Sequence, residues 1–369
     1  MKDSERYSKQ SPSHQFDHIR SVAACLVVLT HASAQWLDVA CTAGMPDLIF
    51  VQLCNILSFA GVTLFVMLSG AIYLSPEHKG KSCNMRFMSR RAVRFLLLYC
   101  FWKLFYLIEN LLLHPELLQA STLKEELVLA FFRTNGKYHL WYLPMFSLLL
   151  LLVPLLYEGT QRRGACLVYL SLFVLAAIAL PTAFLYEFPF KYLLLDARNL
   201  FDLNYFLGYL GYFLLGHILA EGPLSTGENA HPSDKYASLF SFFLWSGTAV
   251  SFAFALCKSV SCSAGQTTAY TSLATPFSVH LLLLSSALFH TLCSSHRGFP
   301  SSAARLISQG SFGIYLLHPL LLDLLQQAHL LIGIHSPFIG IPALCLVLVV
   351  FPCGCTLLLK RLPLIQRLL

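Results

Sequence analysis

Arg20 and His31 are the residues whose types and spacing first suggest chemistry in this chain. Eleven steps of ~100° along an α-helix return to within roughly 20° of the starting direction and rise about 16 Å. Both side chains therefore lie on one helix face, the guanidinium near a membrane surface and the imidazole near mid-depth. An imidazole inside an apolar helix is costly to place and indicates function. The alternative is a packing histidine bonded to a neighbouring helix, with Arg20 as a headgroup anchor.

Three further arginines precede a later hydrophobic segment and suggest phosphate binding. Arg94 lies three residues after Arg91 and four after Arg90, so these side chains share a helix face. A guanidinium binds phosphate bidentately, and with Arg20 these residues would form a cationic patch at one cytoplasmic mouth. The alternative is topological, because positive residues cluster at cytoplasmic helix ends in any membrane protein.

Ser69 and Gly70 close the second hydrophobic segment. Small residues let helices approach closely, so packing is the simplest interpretation of this pair. The functional alternative is that a tight backbone here leaves room for a ligand beside the first helix. Ser69 is then a candidate pocket residue.

His139 and Trp141 begin the fourth segment, within the sequence YHLWY at 138–142. Tyrosine and tryptophan are typical of the aromatic belts at membrane interfaces. His139 is less expected there, and it is a candidate to bind a polar acceptor that arrives from outside.

Tyr315 and His318 lie near the start of the ninth segment and share a helix face. By the helical rise, His318 lies roughly 12 Å into the segment. Pro319 frees a backbone carbonyl that needs another partner. This second mid-membrane histidine is either a pocket residue or a structural hydrogen-bonding group.

The amino-acid composition indicates which kind of secondary structure positions these residues. Hydrophobic residues make up 56% of the 369 residues and charged residues only 12%, whereas soluble chains carry roughly 25% charged residues. The apolar residues come in blocks of about 20, which is the length that spans a ~30 Å hydrocarbon core. The sequence therefore predicts an all-α polytopic membrane protein and excludes an ordinary soluble one.

Windowed hydropathy predicts about ten transmembrane helices, without an internal repeat or a linker to a second domain. The predicted spans are 19–37, 50–74, 92–113, 139–157, 165–185, 203–221, 236–257, 269–292, 310–330 and 338–359. The resulting organisation is a cytoplasmic N-terminal segment at 1–18, a transmembrane domain at 19–359 and a cytoplasmic tail at 360–369.

The distribution of lysine and arginine predicts the orientation of the chain. These residues concentrate in the N-terminal segment, the C-terminal tail and every second loop, so both termini are expected in the cytoplasm. The loops 38–49, 114–138, 186–202 and 258–268 then face outward. The first 20 residues lack the pattern of a cleavable signal, so the first helix is expected to stay as an anchor.

The twelve cysteines are scattered, mostly within apolar segments, and no pair of C-x-x-C motifs has zinc spacing. A metal site is therefore not expected. Cys257 and Cys262 border a short predicted outer loop, where a disulfide is one alternative.

Five motifs occur together and in a fixed order along the chain. They are R-x10-H at 20–31, F-x-x-x-S-G at 65–70, the arginine-rich segment at 90–94, HLW at 139–141 and S-x-G-I-Y-x-x-H at 311–318. This pattern resembles the acyltransferase family 3 of integral membrane proteins, from Phe16 to the last span. Within that family, the size and the YHLW and SFGIYLLH segments look like the type that O-acetylates enterobacterial common antigen. Ala71 departs from the family, which usually has an aromatic residue directly after the glycine.

The resemblance implies a function and its partners. The co-substrate would be cytoplasmic acetyl-CoA, or another acyl-CoA, with no bound cofactor and no nucleic acid. The acceptor would be a sugar hydroxyl of a surface polysaccharide or lipid-linked glycan, and the location a bacterial inner membrane. His31 would be the essential histidine, Arg20 its motif partner, and the arginine-rich segment at 90–94 a donor-binding element.

Two chemical roles are open for His31, and two other classes of protein compete with an enzyme. A largely neutral imidazole can take the proton of a hydroxyl or carry the acyl group itself. A secondary transporter or flippase also uses intramembrane His and Arg, but the sequence lacks its repeats and paired broken helices. A scaffold of a glycan-assembly complex would leave His31 and His318 without a purpose.

Overall fold

The structure of this chain is a computed structural model that describes residues 12–115, 137–179, 203–221, 234–268, 275–294, 301–328 and 336–361. Over those residues the regular secondary structure is helical throughout. The helices are α1 (Pro12–Ala34), α2 (Leu37–Ala43), α3 (Met45–Ser58), α4 (Ala60–Tyr73), α5 (Lys79–Ser82), α6 (Met85–Leu113), α7 (Tyr142–Thr160), α8 (Arg163–Phe173), α9 (Leu203–Glu221), α10 (Asp234–Ser263), α11 (Val279–Ser294), α12 (Ser301–Gln327) and α13 (Pro337–Leu359).

The predicted all-helical fold is confirmed over the described residues, and each predicted span overlaps one of these helices. By length and composition, five spans among the described residues can cross a bilayer, one of them formed by α3 and α4 together. The count becomes six when α1 and α2, which meet at an angle of 55°, are taken as one bent span. The number ten stays a prediction. The N-terminal segment 1–18 overlaps α1, which begins at Pro12, and most of the tail 360–369 lies outside the described residues.

Large apolar side chains cover the outside of the bundle. Leu97 and Leu112 of α6 are 66% and 75% exposed, and Phe243 and Val250 of α10 are 69% and 74% exposed. A soluble monomer rarely exposes a continuous apolar surface of this kind to water, whereas in a bilayer lipid tails cover such a surface. The exposed side chains therefore agree with a multi-pass membrane protein.

The first helix lies at the centre of the bundle. α1 packs against α3, α4, α11, α12 and α13. Its side chains Ile19 and Ala23 are fully buried in a core shared with α4 and α9, while Val28 and Ala32 are buried in a second core with α12 and α13. The middle of α1 therefore has protein on several sides, and this position makes it suited to line an internal site.

α1 and α12 run side by side in the same direction. Arg20 donates to Ser308 (3.0 Å), the His31 ring lies 5.1 Å from that of His318, and Gln35 accepts a hydrogen bond from Gln326 (2.6 Å). The partners occur in the same order along both helices. The sequence's first hydrophobic helix is thus paired in parallel with a helix near the other end of the chain.

Gly70 brings α4 against α9 at backbone distance. A Cβ atom at Gly70 would overlap the carbonyl group of Phe213, and one at Gly216 would overlap the carbonyl group of Met67. Because both helices lack a side chain at the contact, their backbones approach as small residues allow in membranes. Gly70 therefore lies at a close contact between two helices, as the packing interpretation predicts.

The end of α10 differs from the predicted end of the seventh span. The hydropathy window stops at 257, before Lys258, but the helix continues to Ser263. Gln52 of α3 holds this last part, accepting from Ser259 (2.7 Å) and donating to Ser263 (3.2 Å). Cys257 and Cys262 lie in this one helix, roughly 140° apart around its axis. Both are free, so the disulfide is not formed.

Candidate functional site

A cavity of about 480 Å³ lies beside α1 and is bounded by α4, α6, α7 and α12. Among the residues predicted from the sequence, it is lined by Arg20, His31, Ser69, Arg91, His139, Trp141 and Tyr315. The remaining wall is largely aromatic and aliphatic, including Phe65, Phe95 and Phe146. The cavity therefore joins a guanidinium end to an imidazole end through an apolar passage.

Arg20 is held in place by partners on two helices. Its Nη1 donates to Ser308 Oγ (3.0 Å) and lies 3.5 Å from Asp17 Oδ1. Ser308 in turn donates to the same carboxylate oxygen of Asp17 (2.6 Å). The Arg20 side chain remains 34% exposed, so the network orients the guanidinium and leaves part of it open towards the cavity.

Arg91 is the member of the arginine-rich segment that lines the cavity. Its guanidinium carbon lies 5.4 Å from the ring centre of Tyr73 and 5.7 Å from that of Phe87, which are cation–π distances. Arg90 and Arg94 lie on the same helix but outside the cavity wall. The two rings therefore orient one arginine towards the same space as Arg20.

Lys81 completes the cationic end and His78 also lines the cavity, and sequence reasoning missed both as site residues. Both belong to the connection between α4 and α6, whose basic residues are also typical of a topological signal. Ser82 fixes this connection by donating to the carbonyl oxygen of Tyr73 (2.5 Å). The loop thus folds back over the cavity mouth, and local sequence carries no sign of that fold.

His31 lies at the other end of the cavity, with ring partners from two further elements. Its ring centre is 4.4 Å from that of Tyr138 and 5.1 Å from that of His318, the latter ring lying within 24° of parallel. The structure thus brings together two histidines that the sequence indicated separately. His318 does not itself line the cavity, so His31 lies between it and the open space.

His139 is the third imidazole of this group. Its ring centre is 5.6 Å from that of His318, and its side chain is almost fully buried. Tyr315 donates its hydroxyl to the His139 carbonyl oxygen (2.7 Å), which fixes the short turn before α7. Neither ring nitrogen of His139 has a hydrogen-bond partner among the described residues. A buried imidazole of this kind has donor and acceptor capacity left for a ligand.

The protonation pattern of His318 follows from its backbone contact. The side chain is fully buried, and Nδ1 lies 2.8 Å from the carbonyl oxygen of Ile314, to which it donates. In a neutral ring, Nε2 is then the acceptor, and within the described part of the chain it has no partner. Pro319 follows directly and interrupts the helix hydrogen bonding, as expected of proline inside a helix.

Ser69 and Trp141 also line the cavity, each with a second contact that fixes it. Ser69 donates to the carbonyl oxygen of Phe65 one turn earlier (2.8 Å), and its neighbour Gly70 faces α9 instead. The Trp141 ring centre lies 5.3 Å from that of Tyr209. Ser69 therefore lines the cavity and Gly70 lies at a helix contact. Each of the two interpretations that the sequence left open applies to one of these residues.

A cluster of charged residues lies beyond the histidines, and sequence reasoning missed it. Lys137 forms a close ion pair with Asp323 and lies 3.7 Å from a carboxylate oxygen of Glu109. Burial lowers the pKa of Lys137, and the Glu109 carboxylate opposes that shift. These residues come from three separate parts of the chain, so no local pattern connects them.

The chain is similar to one known protein family over nearly its whole length. A family model described as an acyltransferase domain, Acyl_transf_3, matches residues 13–359. Neither the curated proteins nor the solved structures contain a match to this chain. The family match covers the cationic end, the histidines and the helices that hold them, in one continuous region. The chain therefore belongs to the Acyl_transf_3 family and is an acyltransferase.

Proposed function

We propose that this protein is a membrane O-acyltransferase that moves an acetyl group from acetyl-CoA to a sugar hydroxyl. The acceptor is part of a surface polysaccharide or a lipid-linked glycan. The observation that carries the proposal is the single cavity that Arg20 and Arg91 line at one end and His31 at the other. Had the His31 ring faced hydrocarbon without a passage to the arginines, the proposal would have no physical basis.

The cationic end suits the phosphates of coenzyme A. Arg20, Arg91 and Lys81 supply fixed positive charge and several N–H donors. The apolar passage suits the pantetheine arm, and the volume of about 480 Å³ lies within the range of small-molecule sites. A donor bound in this way would carry its thioester towards His31, about 16 Å along the helix from Arg20.

The imidazole end suits proton transfer at the thioester. In the general-base alternative, a ring nitrogen of His31 takes the hydroxyl proton as the acceptor oxygen attacks the thioester carbonyl carbon. The carbon–sulfur bond then breaks, and the leaving thiolate takes the proton back. In the covalent alternative, the nitrogen itself attacks the carbonyl carbon, and the leaving thiolate takes the N–H proton of the ring. The acceptor oxygen then attacks the acyl carbon, the carbon–nitrogen bond breaks, and the hydroxyl proton returns to the ring.

The topology proposed with this function has ten spans, both termini in the cytoplasm and the cationic end of the cavity on the cytoplasmic side. The bacterial inner membrane and the enterobacterial common antigen type belong to the same proposal. The parallel pairing of α1 with α12 supports it, because Arg20 and Ser308 are then at one membrane surface. The family match favours an enzyme over a transporter, flippase or scaffold.

Thermal unfolding of the purified protein tests donor binding. A ligand at 100 times its dissociation constant stabilises the folded state by about 2.7 kcal/mol, so acetyl-CoA is expected to raise Tm clearly. S-acetyl-pantetheine, which lacks the phosphates, is the matched control and is expected to raise Tm much less. Equal Tm values with and without acetyl-CoA would overturn the proposal.

Mass spectrometry separates the two chemical alternatives. After mixing with acetyl-CoA alone, the covalent alternative predicts a tryptic peptide containing His31 that carries one acetyl group. The general-base alternative predicts an unmodified peptide from a preparation that turns over normally. Loss of acetyl groups from surface glycans when the chain is deleted would test the acceptor class.

A further inference from the structure

A second, smaller cavity lies at the far end of the site from Arg20. Its volume is about 260 Å³, and its polar wall includes Glu109, Lys137, Asp323, Gln326 and Gln327. Gln326 donates to Gln35 of α1, four residues beyond His31. The histidines therefore lie between this polar cavity and the cationic one.

The charges in this cavity are incompletely paired within the described residues. Lys137 lies beside the carboxylates of both Asp323 and Glu109, and the imidazole of His114 lines the same cavity. Glu109 is only 8% exposed, and neither of its carboxylate oxygens accepts a hydrogen bond from a residue that the structure describes. A carboxylate has about four lone-pair sites, and leaving them unfilled away from water is unfavourable. The cavity therefore has unused acceptor capacity for a ligand that donates hydrogen bonds.

Two aromatic rings connect the polar cavity to the histidines. Lys137 is followed by Tyr138, whose ring centre is 4.4 Å from that of His31. The Lys137 ammonium lies 5.4 Å from the ring centre of Tyr106, which is itself 5.3 Å from that of His139. A single aromatic ring would thus separate a ligand in the polar cavity from the imidazoles.

The chemistry of the wall selects the ligand class. Excess carboxylate disfavours phosphate and other anions, and the wall has amide groups that both donate and accept. Hydroxyl groups also donate and accept hydrogen bonds, so they match these amide groups. An uncharged, polyhydroxylated ligand matches this set of groups.

We propose that Glu109, Lys137 and Asp323 form a binding site for the sugar acceptor, which reaches the imidazoles from the side opposite the donor. This inference rests on the proposed function, because it supplies the second substrate of that reaction. Glu109 and Asp323 accept hydrogen bonds from sugar hydroxyls, and Lys137 donates one.

Saturation-transfer NMR on protein in lipid nanodiscs, free of sugar-based detergent, tests the site. The probe is an equimolar mixture of the methyl glycosides of glucose, galactose, mannose and N-acetylglucosamine. At least one glycoside is expected to receive saturation from the unmodified protein. Glu109→Gln and Asp323→Asn should each raise the dissociation constant of that glycoside roughly tenfold or more, since each removes a charged hydrogen-bond acceptor.

Asp47→Asn is the matched control, because Asp47 belongs to α3 and lies outside both cavities. It should leave glycoside binding unchanged. Stabilisation by acetyl-CoA should persist in all three variants, which shows that each is folded. Absence of saturation transfer to every glycoside, or its persistence in Glu109→Gln and Asp323→Asn, would overturn the inference. If glycosides bind but acetyl-CoA does not stabilise the protein, the donor proposal fails and the sugar site stands.

Discussion

The imidazole rings of His31 and His318 lie 5.1 Å apart and within 24° of parallel, although one belongs to the first helix of the chain and the other to α12. His318 donates through Nδ1 to its own helix, which leaves Nε2 to accept. His31 faces the cavity and has no such backbone constraint among the contacts described for its side chain. This geometry suits a reacting imidazole at His31 that is positioned by a fixed imidazole at His318.

Removal of the His31 imidazole should abolish turnover in a folded protein. His31→Ala is expected to lower kcat by about 10²- to 10⁴-fold, since a positioned acid or base contributes that much. The measurement is the release of free thiol from acetyl-CoA. His290→Ala is the control, because His290 is also buried but bonds Ser241 between α10 and α11. Activity of His31→Ala within tenfold of the unmodified protein would remove His31 from the mechanism.

His318 should act as a positioning residue for His31. His318→Phe keeps a ring of similar size and removes both nitrogens, so kcat should fall by one to two orders of magnitude through misplacement of the reacting imidazole. The KM for acetyl-CoA should stay within about twofold, because His318 does not line the donor cavity. A variant with normal kcat, or one with a raised donor KM alone, would contradict this role.

The two arginines at the cavity mouth should bind the phosphates of the donor. Arg20→Ala and Arg91→Ala are each expected to raise the KM for acetyl-CoA by roughly ten- to hundredfold, since hydrogen bonds to charged groups are the strong ones. With S-acetyl-pantetheine, the variants and the unmodified protein should behave alike. Arg86→Ala is the control, because Arg86 is exposed on α6 outside the cavity. Equal effects with both donors would exclude phosphate binding.

The contact between α4 and α9 should depend on the missing side chains. Gly70→Ala places a methyl group against the backbone of Phe213 and is expected to destabilise the fold by about 1–3 kcal/mol, as overpacking does. Thermal unfolding in detergent measures the effect as a lower Tm. Gly354→Ala in α13 is the control, because no atom lies within 4 Å of its added Cβ. Equal Tm values for the two variants would contradict the close contact.

The helical elements were readable from the sequence because a bilayer imposes their length and composition. The pairing of Arg20 with His31 was equally readable, because their spacing along one helix fixes their common face. The end of α10 was not, since Gln52 stabilises the polar residues beyond Lys258 from another helix. A hydropathy window cannot detect a partner of that kind.

The convergence of the histidines required the structure. His139 packs against His318 where the turn before α7 is bonded to Tyr315 of α12. The pairing of Lys137 with Asp323 has the same origin. In the sequence Lys137 sits in a predicted outer loop and Asp323 within the predicted span 310–330, so no local pattern connects the two.

The parallel pairing of α1 with α12 has a consequence for synthesis. The ribosome delivers Arg20 and His31 first, and it must translate most of the remaining chain before Ser308 and His318 emerge. Until then the nascent polypeptide lacks the Ser308 hydroxyl that holds Arg20 and the His318 ring that stacks on His31. A premature stop codon before residue 301 would remove α12 and, with it, both of these partners of α1.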